Sequence, residues 1–201
     1  MPIIILLCAY LAGSIPSGVW YSKWVHHIDV RELGSGNSGG SNIGRNFGKK
    51  AALIVITIDV LKGWIPTGLA YHYFAGQQDW LVMGVGIACV IGHAYPLFAH
   101  FKGGKVVATS IGVLLGYHFY LAICQVILLV ICLYLSSMIS LAAMVSYTLT
   151  VIYIIMTQAF VYKIGFTAIA LFMIYRHRQN IDRILHGNER RLPFGLYRSN
   201  K

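Results

Sequence analysis

The stretch running from Val106 to Tyr162, VVATSIGVLLGYHFYLAICQVILLVICLYLSSMISLAAMVSYTLTVIYIIMTQAFVY, is 57 residues long and contains no Asp, Glu, Lys or Arg. A water-facing surface needs charge; a lipid-facing one excludes it. At about 20 residues per crossing, the stretch must hold two membrane spans. Gly116-Tyr117-His118 and Ser136-Ser137 are turn-prone points inside it and divide it into three.

Outward from this stretch the pattern repeats. Of 201 residues, 57% are hydrophobic and 11% charged, against roughly a quarter charged in ordinary soluble domains. Mean hydropathy is +0.67, and the apolar character is spread along the chain, which argues against a soluble body on one anchor. Apolar segments near 3–21, 51–75, 80–99, 107–117, 119–135, 139–158 and 163–176 predict an all-α integral membrane protein. About seven transmembrane helices would form one compact bundle, a single domain over residues 1–201. Segments below about 17 residues need thinning or neighbours to cross, so a five-span variant merging the short ones stays open.

Seven spans place loops 22–50 and 100–106 and the tail 177–201 on one side. Fourteen of the sixteen Lys and Arg residues lie on or border that side, and Lys62 and Lys163 are the exceptions. The positive-inside rule makes it cytoplasmic, with the N-terminus outside and the C-terminus in the cytoplasm. The net charge of +10 is therefore read as topology and attraction to anionic membrane lipid, with no nucleic acid implied. Cys8, Cys89, Cys124 and Cys132 stand singly in apolar runs, which suggests neither a disulfide framework nor a metal site. The run from Pro2 to Trp20 lacks a basic lead and a small-residue cleavage signal, so it is expected to remain as the first span.

Three polar clusters fall on the predicted cytoplasmic side. Residues 31–50 read RELGSGNSGGSNIGRNFGKK, with six glycines among hydroxyls, amides and basic residues. Glycines let successive backbone N–H groups converge, Ser35, Ser38 and Ser41 add donors, and Arg45 adds a planar fork, so the expected guest is a phosphate. A flexible linker is the commoner meaning of Gly/Ser runs, but Asn37, Asn42 and Arg45 serve no purpose in one. The loop fits neither a Walker A nor a dinucleotide pattern. Gly92-His93-Ala94-Tyr95-Pro96 with Phe101-Lys102-Gly103-Gly104-Lys105 forms a second cluster before a helix N-terminus, suited to another phosphate, although both lysines also serve as ordinary flanking charge. Tyr175 to Ile181 forms the third; if helical, it places His177 and Asn180 on one face. His177-x-x-x-x-Asp182 also fits the spacing of the classical glycerolipid acyltransferases, a two-residue match that chance explains. Asp59 and Lys62, one helical turn apart in an apolar span, are read as a mutually satisfied ion pair.

Taken together the chain resembles the bacterial acyl-phosphate:glycerol-3-phosphate acyltransferase family over nearly its whole length. The resemblance rests on Gly13-Ser14-Ile15-Pro16, Arg31 through Arg45, Asp59-Val60-Leu61-Lys62-Gly63, Gly92 through Pro96, Phe101 through Lys105, Ser140-Leu141, and Arg176 through Ile181 with Glu189. It implies transfer of an acyl group from acyl phosphate to the 1-hydroxyl of glycerol 3-phosphate, giving lysophosphatidic acid and inorganic phosphate, at the cytoplasmic face of a bacterial inner membrane. It further implies that Gly34, Ser35, Gly36, Asn37, Gly39, Ser41 and Asn42 hold the donor phosphate. Arg45, Lys105, Ser140, His177 and Asn180 would hold glycerol phosphate, and Ser35, Arg45, Lys105, His177 and Asn180 would make up the catalytic set. No metal or cofactor is implied, and no obligate protein partner beyond a possible link to the enzyme making acyl phosphate. The chain departs from the family pattern at Gly40-Ser41, where Ala-Thr is usual, and at Val106, where Gly is usual.

An acyl phosphate is already activated, so positioning is expected to dominate, and the acceptor proton can pass either to His177 or to a donor phosphate oxygen, the latter preferred. A transporter for a phosphorylated solute is the rival from another class; it calls for midplane charges and an internal repeat, and no clear repeat is present. An inactive interaction paralogue is the third reading.

Overall fold

The computed structural model describes residues 1–198, so the last three residues of the predicted 177–201 tail lie outside the described residues. Every regular element among them is helical: α1 (Pro2–Gly13), α2 (Ser17–His26), α3 (Gly40–Phe74), α4 (Asp79–Ala94), α5 (Val107–Tyr117), α6 (Phe119–Ser136), α7 (Ile139–Thr157), α8 (Phe160–Arg176) and α9 (Arg178–Leu185). Single turns of 3-10 helix cover Val30–Glu32 and Leu97–Ala99. Among the described residues, five helical stretches are long and apolar enough to cross a membrane: Pro2–His26, Gly40–Phe74, Asp79–Ala99, Phe119–Ser136 and Ile139–Thr157, with Val107–Tyr117 a shorter apolar helix. Each of the seven segments read from the sequence coincides with helix.

The breaks have local causes. Pro16 has no N–H to continue α1, and α2 starts directly after it, so the first apolar segment is two helices instead of one. His118 takes an extended backbone between α5 and α6, which are separate helices. Ser137 adopts a left-handed φ of 57° at the corner between α6 and α7. The predicted loop 22–50 is shorter than expected, because helix α3 already begins at Gly40 and passes through a non-helical Gly48 (φ 89°, ψ 173°).

The chain folds as two compact units, Met1–His118 and Phe119–Lys201. In the first, small residues let helix backbones touch. A Cβ on Gly13 would stand 2.3 Å from the Cys89 carbonyl, and one on Gly92 would stand 2.3 Å from the Tyr10 carbonyl, so α1 and α4 meet at reciprocal glycines. Gly63 faces the Thr109 carbonyl and Gly112 the Val60 carbonyl in the same manner between α3 and α5. Lipid tails are as apolar as leucine, so helices in a bilayer gain little by hiding apolar surface, and close backbone packing replaces it. Leu53, Ile54, Trp64 and Leu69 of α3 stay exposed, as lipid-facing residues should.

In the second unit α6 and α7 are joined by buried polar side chains. Gln125 donates to Ser146 Oγ at 3.2 Å and accepts from the Thr150 hydroxyl. The C-terminal segment returns to the α6–α7 corner: Leu192 N–H donates to the Ser137 carbonyl (2.8 Å), Leu196 N–H to the Tyr134 carbonyl (2.8 Å), and Tyr197 N–H to Ser137 Oγ (3.1 Å).

Candidate active site

In the first unit the glycine-rich loop is wrapped around one amide. Asn42, fully buried in the first turn of α3, donates from Nδ2 to the carbonyls of Val30 (2.9 Å), Leu33 (3.0 Å) and Asn37 (2.9 Å). Its Oδ1 accepts the Ser35 N–H at 3.1 Å. Asn37 Oδ1 in turn accepts the Gly39 N–H at 2.8 Å, immediately before the helix starts. Gly34 and Gly36 sit at φ 57° and 69°, where a side chain is strained, and a Cβ on Gly34 would press to 2.5 Å from Asn42 Oδ1. The loop is thus an ordered structure leading into a helix N-terminus, the part of a helix that favours anions. Gly34, Ser35, Gly36 and Ser41 are exposed, Asn37 and Gly39 half-buried, and Arg45 stands exposed one turn into α3. Asn42 is engaged with the loop's own backbone, a role its residue type did not reveal.

Arg31 ties this loop to the second cluster. Its guanidinium chelates Asp29 (Nε to Oδ1 3.0 Å, Nη2 to Oδ2 2.7 Å) and reaches across to the carbonyls of Ala99 (2.8 Å) and Lys102 (3.4 Å). The Arg31 hydrogen bond holds the Asp29 carboxyl well below the usual carboxylate range, against the opposing effect of burial. Lys23 adds a 3.3 Å contact. Segments seventy residues apart are therefore anchored together, and Lys105 stands half-buried at the end of the second one. Val106, directly after it, caps α5 at φ 63°, the left-handed region that a glycine would enter without strain.

Beneath the second cluster lies a buried network. Asp59 Oδ1 accepts from Ser17 Oγ (2.6 Å) and pairs with Lys62 Nζ (2.8 Å), and Lys62 also donates to the Ile15 carbonyl (2.8 Å). The expected Asp59–Lys62 pair is present, and His93 Nδ1 joins it at 3.4 Å. The motif fragments Gly13-Ser14-Ile15-Pro16, Asp59 through Gly63 and Gly92 through Pro96 supply or border this network.

The second unit gathers the remaining candidates around Glu189. Its Oε1 accepts from Ser140 Oγ (2.5 Å) and Asn180 Nδ2 (2.8 Å), and its Oε2 from Arg183 Nε (2.8 Å). Burial alone would raise the Glu189 carboxyl, but the three hydrogen bonds and the Arg183 charge together hold it below its ordinary value. His177 is the buried joint between α8 and α9, and its Nδ1 lies 2.8 Å from the Met173 carbonyl. A carbonyl can only accept, so Nδ1 carries a proton and any base chemistry would run through Nε2. Asn180 N–H donates to the His177 carbonyl (2.8 Å), so the pair does share one turn. Asp182 is exposed and lies 3.4 Å from His186, consistent with a chance spacing to His177. Glu189 entered the sequence reading only as a motif residue of the family resemblance, and its part as organiser of Ser140, Asn180 and Arg183 was not legible there. No group of three or more potential metal ligands occurs among the described residues.

Glycine-ordered loops on a multi-helix apolar scaffold define a multi-pass membrane protein. Comparison with known proteins narrows the class: residues 3–187 match the family model described as glycerol-3-phosphate acyltransferase, and the chain belongs to that family. It is 45% identical over 204 residues to the glycerol-3-phosphate acyltransferase of Enterococcus faecalis, covering 96% of this chain and 93% of the relative. It is 44% identical over 186 residues to that of Bacillus subtilis, covering 92% and 95%. The fold matches the crystal structure of PlsY, an integral membrane glycerol 3-phosphate acyltransferase, in its glycerol 3-phosphate form, with a TM-score of 0.90 at 34% identity over 95% of each chain. The lysophosphatidic acid form of the same protein gives 0.84.

Proposed function

We propose that this protein transfers a fatty acyl group from acyl phosphate to the 1-hydroxyl of glycerol 3-phosphate on the cytoplasmic side of the bacterial inner membrane. The observation that carries the reading is the Asn42-ordered glycine loop at the head of α3, in a chain of a family named for glycerol-3-phosphate acylation. The structural relative occurs in forms named for glycerol 3-phosphate and lysophosphatidic acid, which supports both acceptor and product.

The glycine loop, with Gly34, Ser35, Gly36, Asn37, Gly39 and Ser41 around Asn42, binds the donor phosphate. Arg45 and Lys105 bind glycerol phosphate, and Ser140, His177 and Asn180 orient it. The acceptor oxygen forms a bond to the acyl carbon, the carbon–oxygen bond to phosphate breaks, and the hydroxyl proton passes to the departing phosphate. Holding the hydroxyl in near-attack geometry can supply roughly 7–11 kcal/mol of the barrier, and backbone donors stabilise the developing oxyanion. The alkyl chain needs apolar room. The second unit holds a cleft of about 410 Å³ lined by Leu135, Met138, Leu141 and Val145 among others.

Purified protein given labelled glycerol 3-phosphate with palmitoyl phosphate is expected to make lysophosphatidic acid, and with palmitoyl-CoA to make none. Product from the thioester alone rejects the donor assignment. His177→Gln, which keeps a polar group but no titrating base, is expected to retain turnover within about tenfold. A loss of several orders of magnitude with unchanged substrate affinity would make His177 the base instead.

A further inference from the structure

The reaction above has no use for Asp59 or His93, although both are buried and charged or chargeable inside an apolar helix bundle. Burying such groups is expensive, and an apolar pair of the same size would pack more cheaply. Neutralisation does not explain the arrangement either. Lys62 at 2.8 Å already balances the Asp59 charge, yet Ser17 (2.6 Å) and His93 Nδ1 (3.4 Å) address the same oxygen. The carboxylate oxygen thus accepts from Ser17, pairs with Lys62, and stands in charge contact with the His93 ring without a well-formed hydrogen bond to it.

The far edge of the imidazole meets the second phosphate loop. A Cβ on Gly104 would stand 2.1 Å from His93 Nε2 and 2.9 Å from Cε1, so the Gly104 backbone lies directly on the ring. The main chain reinforces the contact: Gly104 N–H donates to the His93 carbonyl (3.1 Å) and Gly103 N–H to the Ala94 carbonyl (3.2 Å). The next residue is Lys105.

We propose that Asp59 and His93 form a positioning pair for acceptor binding, in which Asp59 fixes the His93 ring and the ring sets where the Gly103–Lys105 backbone stands. The pair touches no substrate; it acts through Lys105, and so the inference rests on reading Lys105 as a ligand of glycerol phosphate. A side chain 1 Å out of place is enough to weaken a charged contact. The glycine at 104 is required because a Cβ and the imidazole cannot share that space, and the histidine supplies the ring on which that backbone rests beside the Asp59 charge.

The test uses the full chain in lipid nanodiscs and measures KM for glycerol 3-phosphate, KM for palmitoyl phosphate, kcat and the melting midpoint. His93→Gln and Asp59→Asn are each expected to raise the acceptor KM about tenfold or more, with the donor KM changed less than about twofold, and His93→Asn, whose amide replaces Nδ1, to recover part of the loss. Gly104→Ala leaves the pair intact and lifts the loop, so it should give the same selective rise, and its penalty should shrink when combined with His93→Ala. The Gly104 arm keeps the claim open to refutation if the buried variants fail to fold. A Lys105→Ala variant that raises the acceptor KM beside His93→Gln and Gly104→Ala variants that do not would overturn the positioning pair alone. An unchanged acceptor KM in Lys105→Ala would overturn the ligand reading beneath it.

Discussion

At the scale of single residues, the site is held by side chains that accept or donate several hydrogen bonds at once. The two Asn42 Nδ2 hydrogens serve three carbonyls, a full bond of this kind being worth about 0.5–1.5 kcal/mol, and its removal would take a partner from each of them in a buried loop. Asn42→Ala is expected to abolish donor binding and lower the melting midpoint, and Asn42→Asp, which keeps the shape but cannot donate, to do nearly as much harm. Glu189 plays the same part in the second unit, and its carboxyl titrates below its ordinary value of 4.5 in the folded state. A lowered folded pKa means stability that is full above the unfolded pKa and is lost as pH falls through the folded one. The melting midpoint should therefore drop as pH falls below about 4.5, and Glu189→Gln should flatten that part of the profile. Val106 pays for its place with a left-handed backbone, a strain of about 1–3 kcal/mol, which is close to what burying its side chain contributes. Val106→Gly should thus shift the melting midpoint far less than Val85→Gly, an equally buried valine in the regular helix α4.

At the scale of elements, α3 does two jobs and Gly48 separates them. Residues 40–47 close the glycine loop, and those after Gly48 run on as a membrane span. The backbone at φ 89° and ψ 173° is essentially closed to any residue with a side chain. Gly48→Ala is expected to cost about 1–3 kcal/mol or to straighten the helix and carry Arg45 away; an acyltransferase assay on the folded variant should show acceptor KM rising. The sequence made the helices legible because its apolar stretches are bounded by charge, proline or paired serines, and each stretch coincides with helix. It hid the start of α3, since Gly40 and Gly44 are poor helix formers and only tertiary packing makes them helical. It also hid the joint at His177, where a continuous polar helix was the simpler expectation.

At the scale of the whole molecule, the charge asymmetry and the motif order show which segments matter but not how they are built. The glycine loop, Lys105, His177 and Asn180 were legible as candidates from residue type, and Ser140 only through the family resemblance. Asp59 with His93, thirty-four positions apart, and Glu189 with Ser140, forty-nine apart, were not legible as partners, since nothing local records a long-range hydrogen bond. The account requires that both polar clusters work on the same aqueous side of the membrane. Single cysteines at Glu32 and at Asn188, both exposed, test this in a background with Cys8, Cys89, Cys124 and Cys132 replaced by alanine. Both should react with a membrane-impermeant maleimide in inside-out vesicles and be protected in intact cells; labelling of the two from opposite sides would contradict the shared reaction.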